Sequence, residues 1–117
     1  MVRVVLENRG PDSGREAAGS GELLLRVEGH SGAGVKGTDV VCAAISAIAQ
    51  TAVVGITKVA GVQQDVIQGE GLLETRIRLE GLPESRRRSV EIIIDTMLAG
   101  LGEIENEYPG SLEIIMR

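Results

Sequence analysis

The chain has 117 residues, 43% apolar and 25% charged, with a formal net charge of −5 at pH 7. This composition predicts one soluble globular domain, residues 1–117, and excludes a disordered or fibrous chain. A single aromatic residue and the acidic balance count against direct nucleic-acid binding. A single cysteine excludes an internal disulfide and a cysteine-based zinc site, and it suits a reducing compartment.

The first third of the sequence predicts two strands and then a glycine-rich loop. A β-branched run, Val2 to Leu6, indicates the first strand, and residues 21–30 indicate the second. The Gly- and Ser-containing segment 8–21 connects them as an antiparallel hairpin with a long loop. Residues 30–37 contain three glycines and no regular pattern, so we expect a mobile loop there.

The apolar segment 40–56 predicts a first helix, capped at its N-terminus by Thr38 or Asp39 and ending near Gly61. Because this helix is apolar nearly all round, we expect it to pack on a sheet and against another subunit. The segment is interrupted by polar residues and shorter than a membrane span, and no targeting signal precedes it. We therefore expect a cytoplasmic protein without a membrane segment.

The second half of the sequence predicts two further strands, a second helix and a last strand. Residues 62–67 and 72–79 are the two strands, on either side of a turn at 69–71. Apolar and polar residues alternate in the second of them, which indicates one solvent-exposed face. Pro83 suits the first turn of an amphipathic helix, and residues 112–116 follow as a strand. The order β-β-α-β-β-α-β predicts an α+β domain with two helices packed on one mainly antiparallel sheet.

The only histidine, His30, and the only cysteine, Cys42, flank the glycine-rich loop. We expect Cys42 in the first turn of the helix, where the dipole and free N–H groups favour a thiolate and could hold an oxyanion. A neighbouring imidazole can stabilise the thiolate and protonate a leaving amine. The alternative interpretation is equally simple: a cysteine in V-V-C-A-A is usually a buried hydrophobe, and a lone histidine is usually structural. Spacing alone does not decide between the two.

The block GHSGAGVKGTDVVCAAISAI, residues 29–48, resembles the ribosomal-processing cysteine protease (Prp) family. The family signature is a Gly-His pair, a glycine-containing loop and Gly-x-Asp-[Ile/Val]-Val-Cys-Ala-Ala-x-Ser. The resemblance implies a Cys–His dyad without cofactor or metal, with Cys42 as nucleophile and His30 as general base and acid. It also implies a cytoplasmic homodimer that removes an N-terminal peptide from a large-subunit ribosomal protein.

Asp39 and Ser46, near the predicted dyad, each have two alternative roles. Asp39, Cys42 and Ser46 share one helical face by their spacing. Asp39 caps the helix or orients His30, and Ser46 hydrogen-bonds the sulfur or the carbonyl of Cys42.

The loop between the dyad residues is the predicted substrate loop. Its members are Ser31, Gly32, Gly34, Lys36 and Gly37. The glycines superficially match a phosphate-binding G-x-G-x-x-G, but no βαβ unit surrounds them, so a loop that closes over substrate is favoured.

Two features leave room for other interpretations. The loop departs from the family, whose members often have Ala after the His and tyrosines further on. A catalytically silent, ribosome-associated binding module with the same fold is therefore the alternative function. Arg86–Arg88, the only basic run, is interpreted as a solvated helix face, with docking on a ribosomal partner as the minority interpretation.

Overall fold

The computed structural model describes residues 1–8, 21–29 and 36–117, with residues 36–39 described by their backbone alone. The predicted order β-β-α-β-β-α-β is confirmed. The elements are β1 (Val2–Glu7), β2 (Glu22–Glu28), α1 (Lys36–Lys58), β3 (Gln64–Gly69), β4 (Leu72–Arg78), α2 (Glu84–Glu107) and β5 (Leu112–Met116). Most of the connection predicted at 8–21 lies outside the described residues.

The five strands form one sheet in the order β3-β4-β2-β1-β5. Neighbouring strands are antiparallel except β1 and β5, which are parallel, so the prediction of a mainly antiparallel sheet is confirmed. The crossovers β2-α1-β3 and β4-α2-β5 start from oppositely oriented strands and run in opposite directions along the sheet. Crossovers of the same, right-handed sense therefore place both helices on the same face.

Along β4 the two faces of the sheet differ in polarity, as the alternation of its residues predicts. Leu73, Thr75 and Ile77 are buried beneath the helices. On the opposite face, the Arg26 guanidinium binds the Glu74 carboxylate at 2.8–2.9 Å. That hydrogen bond raises the pKa of Arg26 above its ordinary value.

An aliphatic core lies between the sheet and the two helices. In α2 the predicted apolar positions face inward, with Val90, Ile94, Met97 and Leu101 buried. In α1 the buried positions include Ile45, Ala49 and Ile56, which pack in the same core cluster. The prediction that both helices pack on one face of the sheet is confirmed.

Both helix starts differ from the sequence-based expectation. Because α1 begins at Lys36, Thr38 and Asp39 lie inside its first turn, and the prediction that one of them is the N-cap is wrong. Pro83 is the N-cap residue of α2 and not a first-turn residue, with extended backbone at ψ 154°. Local capping preferences mark a helix start only to within a few residues, because packing of the helix also decides how far it extends.

Two arginines of the predicted basic run bind main-chain carbonyl groups near the start of α2. Arg86 donates from Nη1 to the carbonyl oxygen of Gly61 at 2.8 Å, just beyond the C-terminus of α1. Arg87 donates from Nη2 to the carbonyl oxygen of Leu79 at 2.9 Å. A cation at this helix end also interacts favourably with the helix dipole. Two of the three arginines thus bind main-chain carbonyl groups, while Arg86 and Arg88 are both exposed, as the interpretation of a solvated helix face predicts.

By length and composition alone, one segment of α1, Val40–Lys58, is sufficient to cross a membrane. The predicted apolar segment, 40–56, is two residues shorter, and the expectation of no membrane segment stays a prediction. Of the segment Val40–Lys58, 28% is buried, and its buried residues pack in the core cluster with the sheet and α2.

Candidate active site

A cavity of about 190 Å³ opens where α1 crosses one end of the sheet. The parallel strands β2 and β3 both end there, and the carboxyl ends of parallel strands are a common position for ligand sites in sheets with crossover helices. Its walls come from the first half of α1, from the β3–β4 hairpin and from the adjoining ends of β1 and β2. The lining residues are Val2, Val27, Gly29, Cys42, Ile45, Ser46, Ala49, Gln50, Gln68, Gly69, Gly71, Leu72 and Leu73.

Cys42 lines this cavity with a half-buried side chain that is not part of a disulfide. It is in the second turn of α1, which begins at Lys36, so the prediction that it lies in the first turn is wrong. The free N–H groups of a helix are those of its first four residues, here one turn before the cysteine. Side chains lean toward the helix N-terminus, so the Cys42 side chain points toward that end.

Ser46 and Gln50 follow Cys42 at successive four-residue steps, and both line the cavity. The Gln50 side chain donates from Nε2 to the Ser46 hydroxyl oxygen at 2.8 Å. One wall of the cavity therefore presents a thiol, a hydroxyl and an amide in a row, while Ile45 and Ala49 contribute apolar surface between them. This arrangement can bind a polar main chain beside a small apolar group.

Gly29 connects β2 to the predicted substrate loop and holds a conformation that suits glycine. Its φ is +98°, and a Cβ atom placed on it would lie 2.7 Å from the carbonyl oxygen of Met1. Its N–H donates to the carbonyl oxygen of Gly71 at 2.9 Å, which joins the end of β2 to the hairpin wall. Gly29 lines the cavity and directly precedes His30 in the chain.

Several predicted site residues lie outside the described part of the chain. His30, Ser31, Gly32 and Gly34 are among them, as is the side chain of Asp39. The assignments of His30 as base, Asp39 as supporting residue and the loop as substrate contact therefore stay predictions.

Lys36 and Gly37 were predicted in the substrate loop. The structure places their backbone in α1 as its first two residues, so the predicted loop boundary is wrong. A role for them in contacting substrate stays a prediction.

The second wall of the cavity is not predicted from the sequence. Gln68, Gly69, Gly71 and Leu72 belong to the β3–β4 hairpin, more than twenty residues after Cys42. No local pattern marks these residues, because only the crossover β2-α1-β3 brings the hairpin beside the cysteine. Gln50 could have been found, since its eight-residue spacing from Cys42 places both on one helical face.

Within the described ranges, no group of three or more His, Cys, Asp or Glu side chains could hold a metal ion. The polar groups described around the cavity are a thiol, a hydroxyl, amides and main-chain groups. Of these the thiol is the strong nucleophile, and it is activated by deprotonation.

The family model of cysteine protease Prp matches residues 21–113, which include every cavity-lining residue except Val2. No curated protein matches the chain.

Solved structures share the fold over the whole chain. An essential ribosomal-processing protease Prp from Staphylococcus aureus, in complex with a covalently linked product peptide, is 22% identical with a TM-score of 0.74. The same protease in complex with a substrate peptide is 22% identical with a TM-score of 0.71, and in both cases 100% of each chain is covered. SMU.848 from Streptococcus mutans is 20% identical with a TM-score of 0.66, over 99% of this chain and 93% of that one.

Proposed function

Because this chain belongs to the Prp family of cysteine proteases, we propose that it is an endopeptidase with a Cys42–His30 dyad. The observation that carries the proposal is the position of Cys42, whose side chain lines a cavity together with Gly29, the residue before His30. The covalently linked product peptide in the S. aureus relative supports a covalent route through the thiol.

The proposed reaction has two halves. The Cys42 thiolate attacks the scissile carbonyl carbon, forming a C–S bond, and the resulting oxyanion collapses with cleavage of the C–N bond. His30 gives its proton to the departing amine. A water molecule, deprotonated by His30, then attacks the thioester, which releases the carboxylic product and regenerates the thiolate. No cofactor is needed at any step.

We propose as substrate the N-terminal peptide of a large-subunit ribosomal protein, cleaved in the cytoplasm. Support comes from the resemblance of residues 29–48 to the family signature and from the relative described as a ribosomal-processing protease. The cavity of about 190 Å³ is large enough for one side chain of the substrate and too small for a folded segment. We therefore expect the substrate to bind in an extended form.

The proposed partner in the assembly is a second copy of the chain. An apolar groove of about 540 Å³ lies between α1 and α2, on the side of α1 away from the cysteine cavity. Val54 and Ile92 near this groove are 52% and 55% exposed, and Val59 is 79% exposed. Exposed apolar side chains clustered in this way are typical of an interface.

The cleavage proposal is tested with a synthetic peptide that spans the extended N-terminus of the host's ribosomal protein. We expect the wild-type protein to cleave the peptide, and we expect Cys42→Ala to lose at least a thousandfold in kcat/KM because the nucleophile is removed. Mass spectrometry of the products measures the cleavage site. Equal cleavage by both proteins would end the proposal.

Thiol alkylation separates the enzyme from the catalytically silent binding module. An ordinary cysteine is protonated at pH 6 and reacts slowly with iodoacetamide, whereas a dyad thiolate reacts fast. We expect fast labelling of Cys42 at pH 6 and a rate at least tenfold lower in His30→Ala. Slow labelling of the wild-type protein, also with peptide present, would favour the binding module.

A further inference from the structure

Strand β3 forms one edge of the sheet, directly beside the cysteine cavity. It pairs with β4 on one side, and no other described strand pairs with it on the other side. Every residue of β3 after Gln64 is exposed. The outer edge of β3 is therefore open over its length in the part of the chain that the structure describes.

The register of the hairpin shows which main-chain groups point to the open edge. Arg78 donates its N–H to the carbonyl oxygen of Gln63 at 3.0 Å, so Gln63 faces β4. In an antiparallel pair the residues that face the partner alternate with those that face away. The N–H and C=O groups of Val66 and Gln68 consequently point away from β4.

The side chains of β3 do not protect this edge. Natural edge strands usually carry lysines, prolines or bulges that prevent pairing with another chain. The sequence of β3 is QDVIQG, with Val66 45% exposed and Ile67 57% exposed. Its one charge, Asp65, is paired with Arg78 at 2.9 Å. The edge is thus weakly charged and partly apolar, as expected for a strand that pairs with an added strand.

The open edge and the cavity are continuous. Gln68 and Gly69 belong to β3 and line the same cavity as Cys42. A sixth strand paired with β3 would lie about 4.8 Å beyond it. Its main chain would therefore lie beside Gln68 and Gly69, which line that cavity.

We propose that the β3 edge binds the main chain of the substrate peptide as an added strand, through the N–H and C=O groups of Val66 and Gln68. This inference rests on the proposed protease function and specifies how the substrate is held. Main-chain hydrogen bonds would bind the peptide whatever its side chains are. The cavity would then select the side chain next to the scissile bond.

The first test removes one main-chain N–H group that points to the open edge of β3 and leaves the hydrogen bonds between β3 and β4 in place. Val66→Pro deletes an N–H that β4 does not use, and the residue before it is already extended, as proline requires. We expect kcat/KM for the ribosomal N-terminal peptide to fall about tenfold or more. Alkylation of Cys42 by iodoacetamide needs no peptide, so we expect its rate to stay within about twofold.

The opposite edge of the sheet supplies the matched control. Arg117 donates its N–H to the carbonyl oxygen of Leu6 at 2.7 Å and accepts from Asn8 at 3.0 Å, so Arg117 faces β1. By alternation along β5, Ile114 faces away from β1, and it is a β-branched residue with 36% exposure. We expect Ile114→Pro to leave kcat/KM within about twofold of wild type.

A second arm needs no change in β3. Single N-methyl groups are placed along the peptide, and binding to the Cys42→Ala protein is measured by calorimetry. Strand pairing predicts weaker binding at every second position, because alternate N–H groups point to β3. This arm still answers the question if Val66→Pro fails to fold.

The outcomes distinguish the two proposals. Full cleavage by Val66→Pro, or an N-methyl scan without alternation, overturns strand addition and leaves the protease standing. Alternating binding to the Cys42→Ala protein without cleavage by wild type supports strand addition and refutes the protease. A peptide that is neither cleaved nor bound overturns both proposals. A dimer that is lost in Val66→Pro assigns the edge to a second copy of the chain and also overturns strand addition.

Discussion

At the scale of single residues, Gly29 connects the fold to the chemistry. It follows β2, lines the cavity and directly precedes His30. Its N–H donates to the carbonyl oxygen of Gly71 in the β3–β4 hairpin. Its φ of +98° disfavours any other residue, and the Met1 carbonyl leaves no space for a Cβ atom. The family resemblance includes this glycine, and the structure supplies the physical reason for it.

We expect Gly29→Ala to lower the free energy of unfolding by about 2 kcal/mol or more, since the alanine is strained and its methyl group meets main chain. Urea denaturation measures the loss. Gly69→Ala is the control, because Gly69 also lines the cavity but has nothing within 4 Å of an added Cβ atom. Equal losses in both variants would contradict this account of Gly29.

At the scale of elements, a partly buried polar network joins β3 and β4 to α1. Thr75, with no exposed surface, donates from Oγ1 to the Gln64 side-chain oxygen at 2.8 Å. The Gln64 amide donates to the Val53 carbonyl oxygen at 2.6 Å and to the Thr57 hydroxyl at 2.8 Å. This network fixes the first residue of β3, whose other end forms a wall of the cavity.

We expect Thr75→Val to lower the free energy of unfolding by about 1–2 kcal/mol, because it leaves the Gln64 oxygen without its donor. A double-mutant cycle with Gln64→Met provides the check. Thr75→Val in the Gln64→Met background is expected to cost clearly less, and strict additivity would show that the two side chains do not interact.

The same scale shows what the sequence can predict. Strand β5 lies at 112–116 as predicted, and the apolar spacing of α2 identifies the residues that it buries, because these signals are local periodicities. The predicted start of α1 lies too late in the sequence. Gly37 lowers helix propensity and Thr38 suits an N-cap, but the helix extends through both residues. The hairpin wall of the cavity depends on strand order, which no local pattern encodes.

At the scale of the whole molecule, the helical layer has an exposed apolar side. The groove between α1 and α2 is lined by Ala47, Ile48, Thr51, Ala52, Gly55, Val59, Ile92, Ile93, Thr96, Met97 and Gly100. Pairing of two copies through this groove would remove the exposed apolar surface from water. On the opposite face of the sheet, β4 presents Glu74, Arg76 and Arg78, and the chain as a whole carries a formal net charge of −5.

We expect light scattering at micromolar concentration to give twice the chain mass of 12.3 kDa. Ala47→Glu places a charge in the groove and is expected to weaken the dimer at least tenfold, because an apolar interface does not solvate the carboxylate. Ala99→Glu is the control, since Ala99 is exposed on α2 and does not line the groove. A monomeric wild-type protein would contradict the prediction.

Helix α1 presents Ser46 to the cysteine cavity and the next residue, Ala47, to the groove. Because the two residues are neighbours in one helix, a movement of α1 caused on either side would displace both residues. If self-association shifts α1, peptide binding and self-association are coupled, and each changes the apparent affinity of the other by the same factor. Under that coupling, we expect the KM for the peptide to change with enzyme concentration until dimerisation saturates, and a KM that stays constant would show that the two sides of α1 act independently.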